Sequence, residues 1–176
     1  HRRPAPPRRR RPRTPRATRT TDEGRRVSIE VNNETEAEVD EAEFAALARY
    51  VLDAMRVHPQ SELSILFVDT DVMSELHVRW MDEPGPTDVL SFPMDELRPG
   101  RDGEVAGPGQ LGDVVLCPEV AARQAVPAGH AAAGVGLLLA ADGILHLLGY
   151  DHAEPEEEKE MFALQRKLLL TFLAGR

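Results

Sequence analysis

Residues 135–152 read VGLLLAADGILHLLGYDH, and this stretch decides both the fold and the chemistry that we expect. Residues 135–141 are almost all apolar, which is typical of a helix buried at the centre of a domain. Asp142 and His146 interrupt the run four residues apart, so both side chains point to the same side of the helix. Gly149 is suited to end this helix, and His152 follows in the loop that returns toward the same point.

Three Lewis-basic side chains on one helix and its following loop predict a catalytic metal site. Two histidines and one carboxylate are an accepted zinc ligand set, in which a fourth position stays open for water or substrate. Zinc lowers the pKa of its bound water to about 7, so the bound water becomes the attacking group. The ligands alone do not decide between a phosphodiester, an amide and an amidine as the bond that is broken.

The hydrophobic pattern around this central helix predicts a single α/β or α+β domain with about four strands and five helices. Strands are expected near residues 27–32, 63–68, 88–92 and 111–117. Helices are expected near residues 39–55, 69–80, 118–126, 135–148 and from 155 onward. Pro127 is expected to stop the third helix, and Pro155 to begin the fifth. The strands are expected to form one mixed sheet.

Charge is distributed very unevenly along the 176 residues. Residues 1–26 contain 11 of the 21 basic residues and only two acidic ones, whereas residues 27–176 contain 10 basic and 28 acidic residues, a net charge of −18. An acidic body is not typical of a broad nucleic-acid-binding surface. Contact with RNA, if RNA is the substrate, is therefore expected to be local, metal-mediated or dependent on a partner.

The basic segment 1–26 consists almost entirely of Arg, Pro, Thr and Ala and has no apolar periodicity. Such a composition predicts disorder, because the segment cannot bury enough apolar surface to fold. Two interpretations remain open. The segment is either an arm that binds RNA phosphates or an upstream extension absent from the native protein, with Val27 as the true start.

The single cysteine, Cys117, excludes an internal disulfide and favours a reducing compartment, so we expect a cytoplasmic protein without a disulfide partner. No apolar run approaches the roughly 20 residues that a bilayer span requires, so no membrane association is expected. His58, His77 and His130 lack metal-ligand spacing and are expected on the surface or in loops.

The segment 142–152 resembles the signature of the YbeY family of bacterial metal-dependent endoribonucleases, His-Gly-x-Leu-His-Leu-x-Gly-Tyr-Asp-His. It matches ten of the eleven positions when the two x positions count as free, and the mismatch is Asp142 in place of the first metal-ligand histidine. Residues 86–93, PTDVLSFP, and 111–117, LGDVVLC, resemble two strands of the same family. The resemblance covers nearly all of residues 27–176.

This resemblance implies a cytoplasmic, single-strand-specific endoribonuclease that matures the 3′ end of 16S rRNA and takes part in ribosome quality control. Its implied cofactor is one zinc ion per chain, held by His146, His152 and, in place of the histidine, Asp142. Its implied partners are ribosomal RNA and the small ribosomal subunit. The family often has an arginine before the PTDVLSFP segment, and by spacing that position is Met81, so Arg79 is only a weak substitute.

Asp142 has three interpretations from the sequence. It replaces histidine as a ligand, it marks a damaged metal site, or it begins a helix that Gly143 opens. Asp151 is either a hydrogen-bond partner that orients a ligand histidine or a turn residue after Gly149.

Two other functions compete with the ribonuclease. A ribosome-assembly factor of the same fold with impaired catalysis is favoured by Asp142 and Met81. A metal-dependent hydrolase of another bond, such as a peptide, is permitted by the ligands but disfavoured by the flanking segments.

Overall fold

The computed structural model describes residues 28–58, 60–95, 109–128, 132–151 and 153–175. The predicted disordered segment 1–26 and most of the polar loop before Gln110 lie outside the described residues. The strands are β1 (Ser28–Asn33), β2 (Glu62–Phe67), β3 (Val89–Pro93) and β4 (Gln110–Leu116). The helices are α1 (Glu41–Ala54), α2 (Thr70–Met81), α3 (Pro118–Ala128), α4 (Ala132–Leu147) and α5 (Pro155–Ala174).

The four strands form one mixed sheet in the order β1-β2-β4-β3. β1 and β4 both pair with β2 in parallel, and β3 pairs with β4 in the antiparallel direction. The prediction of one domain with a four-stranded mixed sheet and five helices is therefore confirmed for the described residues. β3 lies at one edge of the sheet and also contacts α4.

The two faces of the sheet bury different amounts of apolar surface. Alternate strand residues such as Ile65 and Val114 join α1, α4 and α5 in the main core. Residues of the opposite face, such as Val115 and Leu90, join Met73 of α2 in a smaller cluster. This division follows from the two-residue period of a strand, which sends successive side chains to opposite faces.

Local signals explain where the helices begin. The Asp40 and Asp69 side chains accept hydrogen bonds from backbone N–H groups at the start of α1 and α2, as N-cap residues do. Pro155 begins α5, and three glutamates occupy its first turn, where the helix dipole favours negative charge. None of the described helices is both long and apolar enough to cross a membrane.

Two predictions about helix ends were wrong. α3 continues through Pro127 to Ala128, because a proline in the last turn removes only one backbone donor before the helix ends. α4 begins at Ala132, well before the predicted start near Val135. Asp142 therefore lies in the second half of α4, and the interpretation that Asp142 begins a helix is excluded.

Candidate metal centre

The second half of α4 brings Asp142 and His146 together. The Asp142 Oδ2 and His146 Nε2 atoms are 3.6 Å apart. The Asp142 side chain is 13% exposed and the His146 side chain 28%. A carboxylate and an imidazole on a largely buried helix require hydrogen-bond or ionic partners, because burying them without partners is costly. The predicted shared face of this pair is confirmed.

Gly149 follows the end of α4, shortly after the pair. Its backbone is in a left-handed conformation with φ of +98°, which glycine adopts without steric cost. The Gly149 N–H donates to the His146 carbonyl at 3.0 Å, and the Tyr150 N–H donates to the Leu145 carbonyl at 3.1 Å. These two hydrogen bonds are the pattern of a Schellman motif. The prediction that Gly149 stops this helix is therefore confirmed, and the chain turns back directly after His146.

A close contact between α4 and the sheet lies beside the pair. A Cβ atom at Gly143 would lie 2.6 Å from Val114 Cγ1 and 3.2 Å from Ser91 Oγ, so only glycine fits there without displacement. The Ser91 hydroxyl donates a hydrogen bond of 2.9 Å to the Gly143 carbonyl. This bond joins β3 to α4 one residue from Asp142, which anchors the helix at the point where the candidate ligands leave it.

A cavity of about 440 Å³ lies next to Asp142 and His146. Its size falls within the range of about 300–1,000 Å³ that is usual for small-molecule sites. Its apolar lining comes from Met81 at the end of α2 and from β3 residues, whereas its polar lining comes from the α4 pair and the loop after α4. The candidate ligands therefore face a space that a substrate can enter.

The donor atoms fit one zinc ion. Zinc binds histidine nitrogen and carboxylate oxygen at about 2.0–2.2 Å, so two ligands of one ion lie at most about 4.3 Å apart. The 3.6 Å separation of the Asp142 and His146 atoms satisfies this limit. The third predicted ligand, His152, lies outside the described residues, and the described residues contain no group of three candidate ligands. The predicted zinc set therefore stays a prediction with two of its members side by side.

The loop after Gly149 adds two polar side chains to the cavity. Asp151 is exposed and lines the cavity, so either of its predicted roles remains available to it. Tyr150 also lines the cavity and packs against the main core. Burial raises the pKa of the Tyr150 phenol, with a smaller contribution in the same direction from Glu160 and an opposing one from Arg56. Tyr150 therefore stays protonated and neutral at physiological pH.

The end of α2 presents Met81, rather than a basic residue, to the cavity. Met81 is 43% exposed and belongs to the lining. The Arg79 guanidinium lies 5.3 Å from the centre of the Trp80 ring and is not among the described lining residues. The expectation that Arg79 is only a weak substitute at this position agrees with that placement.

The sequence did not reveal two contacts: that of Ser91 beside the cavity and that of His77 with the loop after α2. Ser91 was assigned only to a strand, although the alternation along β3 places it on the same face as Val89. His77, which was expected on the surface or in a loop, lies in α2 and is partly buried, with 12% of its side chain exposed. The spacing of histidines gave no signal for a contact made with the loop after α2.

Comparisons with known proteins agree with the motif resemblance. A family model described as Endoribonuclease YbeY matches residues 29–173. A protein of Beutenbergia cavernae named Endoribonuclease YbeY is 75% identical over 150 residues, which cover 85% of this chain and all of the relative. Proteins of the same name from Kineococcus radiotolerans and Thermobifida fusca are 65% and 64% identical, covering 84% and 81% of this chain and 88% and 92% of their own.

A solved structure supports the fold independently of these names. The solution structure of a protein from Thermotoga maritima matches with a TM-score of 0.57 at 23% identity, and the match covers 84% of this chain and 90% of that one. At this identity the likeness concerns the fold alone. The match of the family model over most of the chain and the high identity of the curated relatives lead to one conclusion: this chain belongs to the YbeY endoribonuclease family.

Proposed function

We propose that this protein is a zinc-dependent endoribonuclease that cleaves single-stranded RNA in the cytoplasm. The proposal extends to maturation of the 3′ end of 16S rRNA and to ribosome quality control, with ribosomal RNA and the small ribosomal subunit as partners. The observation that carries the proposal is the Asp142–His146 pair beside a cavity, in a chain whose relatives are named endoribonucleases.

Three described residues of the site have proposed tasks. Asp142 and His146 hold the metal with His152, and Ser91 keeps the helix segment that carries them against β3. A bound zinc ion supplies an activated water for hydrolysis at neutral pH. Two further observations are consistent with a single-stranded rather than a double-stranded substrate. The cavity is open to solvent, and its volume suits one nucleotide rather than a duplex.

The first experiment measures zinc in the chelator-free protein by inductively coupled plasma mass spectrometry and cleavage of a fluorescent single-stranded RNA. We expect about one zinc ion per chain and cleavage that a chelator abolishes. His146→Ala is expected to lose both, because one of three ligands is removed. His58→Ala is the matched control, since His58 lies just before β2 and is not among the described lining residues. A His146→Ala protein that cuts RNA at the full rate contradicts the proposal.

A second candidate function, a ribosome-assembly factor with impaired catalysis, is favoured by two residues of the cavity. Asp142 stands where the family signature has histidine, and Met81 stands where the resemblance leads us to expect arginine. The variant Asp142→His separates the two candidates. A large gain in zinc affinity and cleavage indicates a lapsed site, whereas little change indicates that the carboxylate serves as a ligand. Co-sedimentation with small ribosomal subunits tests the partner independently of cleavage.

A further inference from the structure

We propose that the cavity receives one unstacked nucleobase of the RNA, and that Met81 is the side chain that packs against the face of this base. The inference rests on the proposed function and deepens it, because it names the part of the substrate that the cavity selects. It makes Met81 a residue that determines specificity. Met81 then has a function of its own at the position where the resemblance leads us to expect arginine.

The shape of the cavity wall supports a flat apolar occupant. Met81 is 43% exposed at the last residue of α2, and Val89 and Pro93 extend the apolar lining beyond it. A methionine thioether is flexible and polarisable, so it adapts to different rings and makes favourable contacts with aromatic faces. An exposed methionine on a concave surface therefore suits any of the four bases without selecting one strongly.

Away from the metal ligands, the described lining offers no cation that would hold a phosphate. The described lining includes two carboxylates, Asp142 and Asp151, and contains neither lysine nor arginine. Arg79, two residues before Met81, has its guanidinium over the Trp80 ring. The scissile phosphate would be held at the metal, whereas a second phosphate placed against the rest of this lining would meet Asp151 and no positive charge; an uncharged base meets no such repulsion. The base is therefore the part of a nucleotide that this surface accepts.

The polar side of the cavity completes the recognition. Tyr150 lines the cavity with its phenol, and Ser91, whose proton is donated to the Gly143 carbonyl, offers an acceptor oxygen. Such groups form hydrogen bonds with the edge of a base that is not paired. A base within a duplex is stacked and paired, so it must be extruded before it enters such a cavity. The cavity thus gives a physical reason for a preference for single-stranded RNA.

The test is a coupling experiment between Met81 and single bases of the RNA. Fluorescence anisotropy measures the binding of short labelled single-stranded oligoribonucleotides to the full chain in chelator, which keeps the RNA intact. Each oligonucleotide of the set has an abasic ribose at a different position. Residues 1–26 are the same in every variant, so the comparison isolates the substituted side chain.

We expect one abasic position to weaken binding to the unaltered protein by about three- to tenfold, as the loss of a sulfur–aromatic contact predicts. In Met81→Ala the same position is expected to lose this effect. Met94→Ala is the matched control, because Met94 is 49% exposed and is not among the described lining residues. Met94→Ala is expected to keep the full penalty.

Two outcomes overturn the inference. One is an equal penalty in Met81→Ala and the unaltered protein, and the other is an unaltered protein without any position dependence. Failure of the proposed function is a separate result, because it concerns cleavage after zinc is added. Coupling without cleavage keeps the base site and contradicts the ribonuclease, whereas cleavage without coupling contradicts the base site alone.

Discussion

The two walls of the cavity are built in different ways. The α4 wall, which we define as Ser91 of β3 together with Asp142, Gly143 and His146 of α4, is backed by the main core. Ile144 and Leu145, which lie between Gly143 and His146 in the chain, are fully buried. The α2 wall, which we define as residues 77–85, contains no fully buried residue. One wall is thus set by dense packing, and the other is only lightly attached.

The hydrogen bonds of the two walls differ in the same direction. The α4 wall joins elements far apart in the chain, because the Ser91 hydroxyl bonds to the Gly143 carbonyl. The α2 wall is closed by local contacts, in which His77 Nδ1 lies 2.9 Å from the Gly85 carbonyl and His77 Nε2 lies 2.9 Å from Glu83 Oε2. Segments with few buried apolar contacts open at lower free energy than the core does.

This difference suits the tasks that we propose for the two walls. Metal ligands must be held to within about 0.5 Å, which requires packing behind them. A surface that packs against a variable base gains from adaptability instead. The α4 wall is therefore expected to be intolerant of added volume, and the α2 wall to respond mainly in its local dynamics. Three substitutions test this contrast.

The largest effect is expected at the closest contact of the α4 wall. Gly143→Ala puts a Cβ atom 2.6 Å from Val114 Cγ1, and Val114 is fully buried and stiff at χ1. Overpacking costs about 1–3 kcal/mol, and the better helix propensity of alanine returns about 1 kcal/mol, so we expect a net loss of up to about 2 kcal/mol. Urea denaturation measures this change in the free energy of unfolding.

The same helix offers a control of opposite sign. A Cβ atom at Gly134 would meet no other residue within 4 Å. Gly134→Ala is therefore expected to stabilise the protein by up to about 1 kcal/mol through helix propensity alone. Adding Val114→Ala to Gly143→Ala is expected to relieve the clash. Equal effects of the two glycine substitutions would show that close packing does not define the α4 wall.

An intermediate effect is expected at the hydrogen bond between β3 and α4. Ser91→Ala removes the 2.9 Å bond to the Gly143 carbonyl, and a typical hydrogen bond contributes about 0.5–1.5 kcal/mol. Zinc affinity is expected to fall as well, because the helix segment beside Asp142 loses an anchor. Thermal unfolding with and without zinc measures both quantities.

Ser61 provides the matched control for Ser91. It is fully buried, and its hydroxyl oxygen has no hydrogen-bond partner among the described residues. A buried polar group without a partner costs free energy, so Ser61→Ala is expected to be neutral or stabilising and to leave zinc affinity unchanged. A loss of stability in Ser61→Ala as large as that in Ser91→Ala would deny the Ser91 bond any special role.

The sequence predicted most of the fold because periodicity is a local signal. Alternating apolar residues gave the strands to within about a residue, and the apolar run before Gly149 gave the central helix. The four-residue spacing of Asp142 and His146 predicted their shared face for the same reason. These features depend only on neighbours along the chain, and the Schellman motif at Gly149 belongs to the same class.

Contacts between distant parts of the chain could not be predicted in this way. Periodicity indicates which side of β3 carries Ser91, but it does not indicate that Gly143, 52 residues later, lies opposite. Nor does helical spacing show that Met81 at the end of α2 meets residues of β3 and α4 in one cavity lining. The pairing of elements in space decides these contacts, and one sequence contains no direct signal for it.

The smallest global effect is expected at the α2 wall. Both ring nitrogens of His77 lie beside oxygen atoms, those of the Gly85 carbonyl and the Glu83 carboxylate. Glu83 is 67% exposed, so solvent weakens its share of the contact. We therefore expect His77→Ala to lower the free energy of unfolding by less than about 1 kcal/mol.

The informative readout for His77 is local, because the contact closes only the loop after α2. Hydrogen exchange followed by mass spectrometry is expected to show faster exchange over residues 82–88 in His77→Ala, with little change in α4. Glu83→Gln keeps an acceptor oxygen and removes the charge, so it is expected to give a smaller acceleration. Faster exchange in α4 to the same extent would mean that the two walls open together, and the contrast between a packed wall and an adaptable wall would fail.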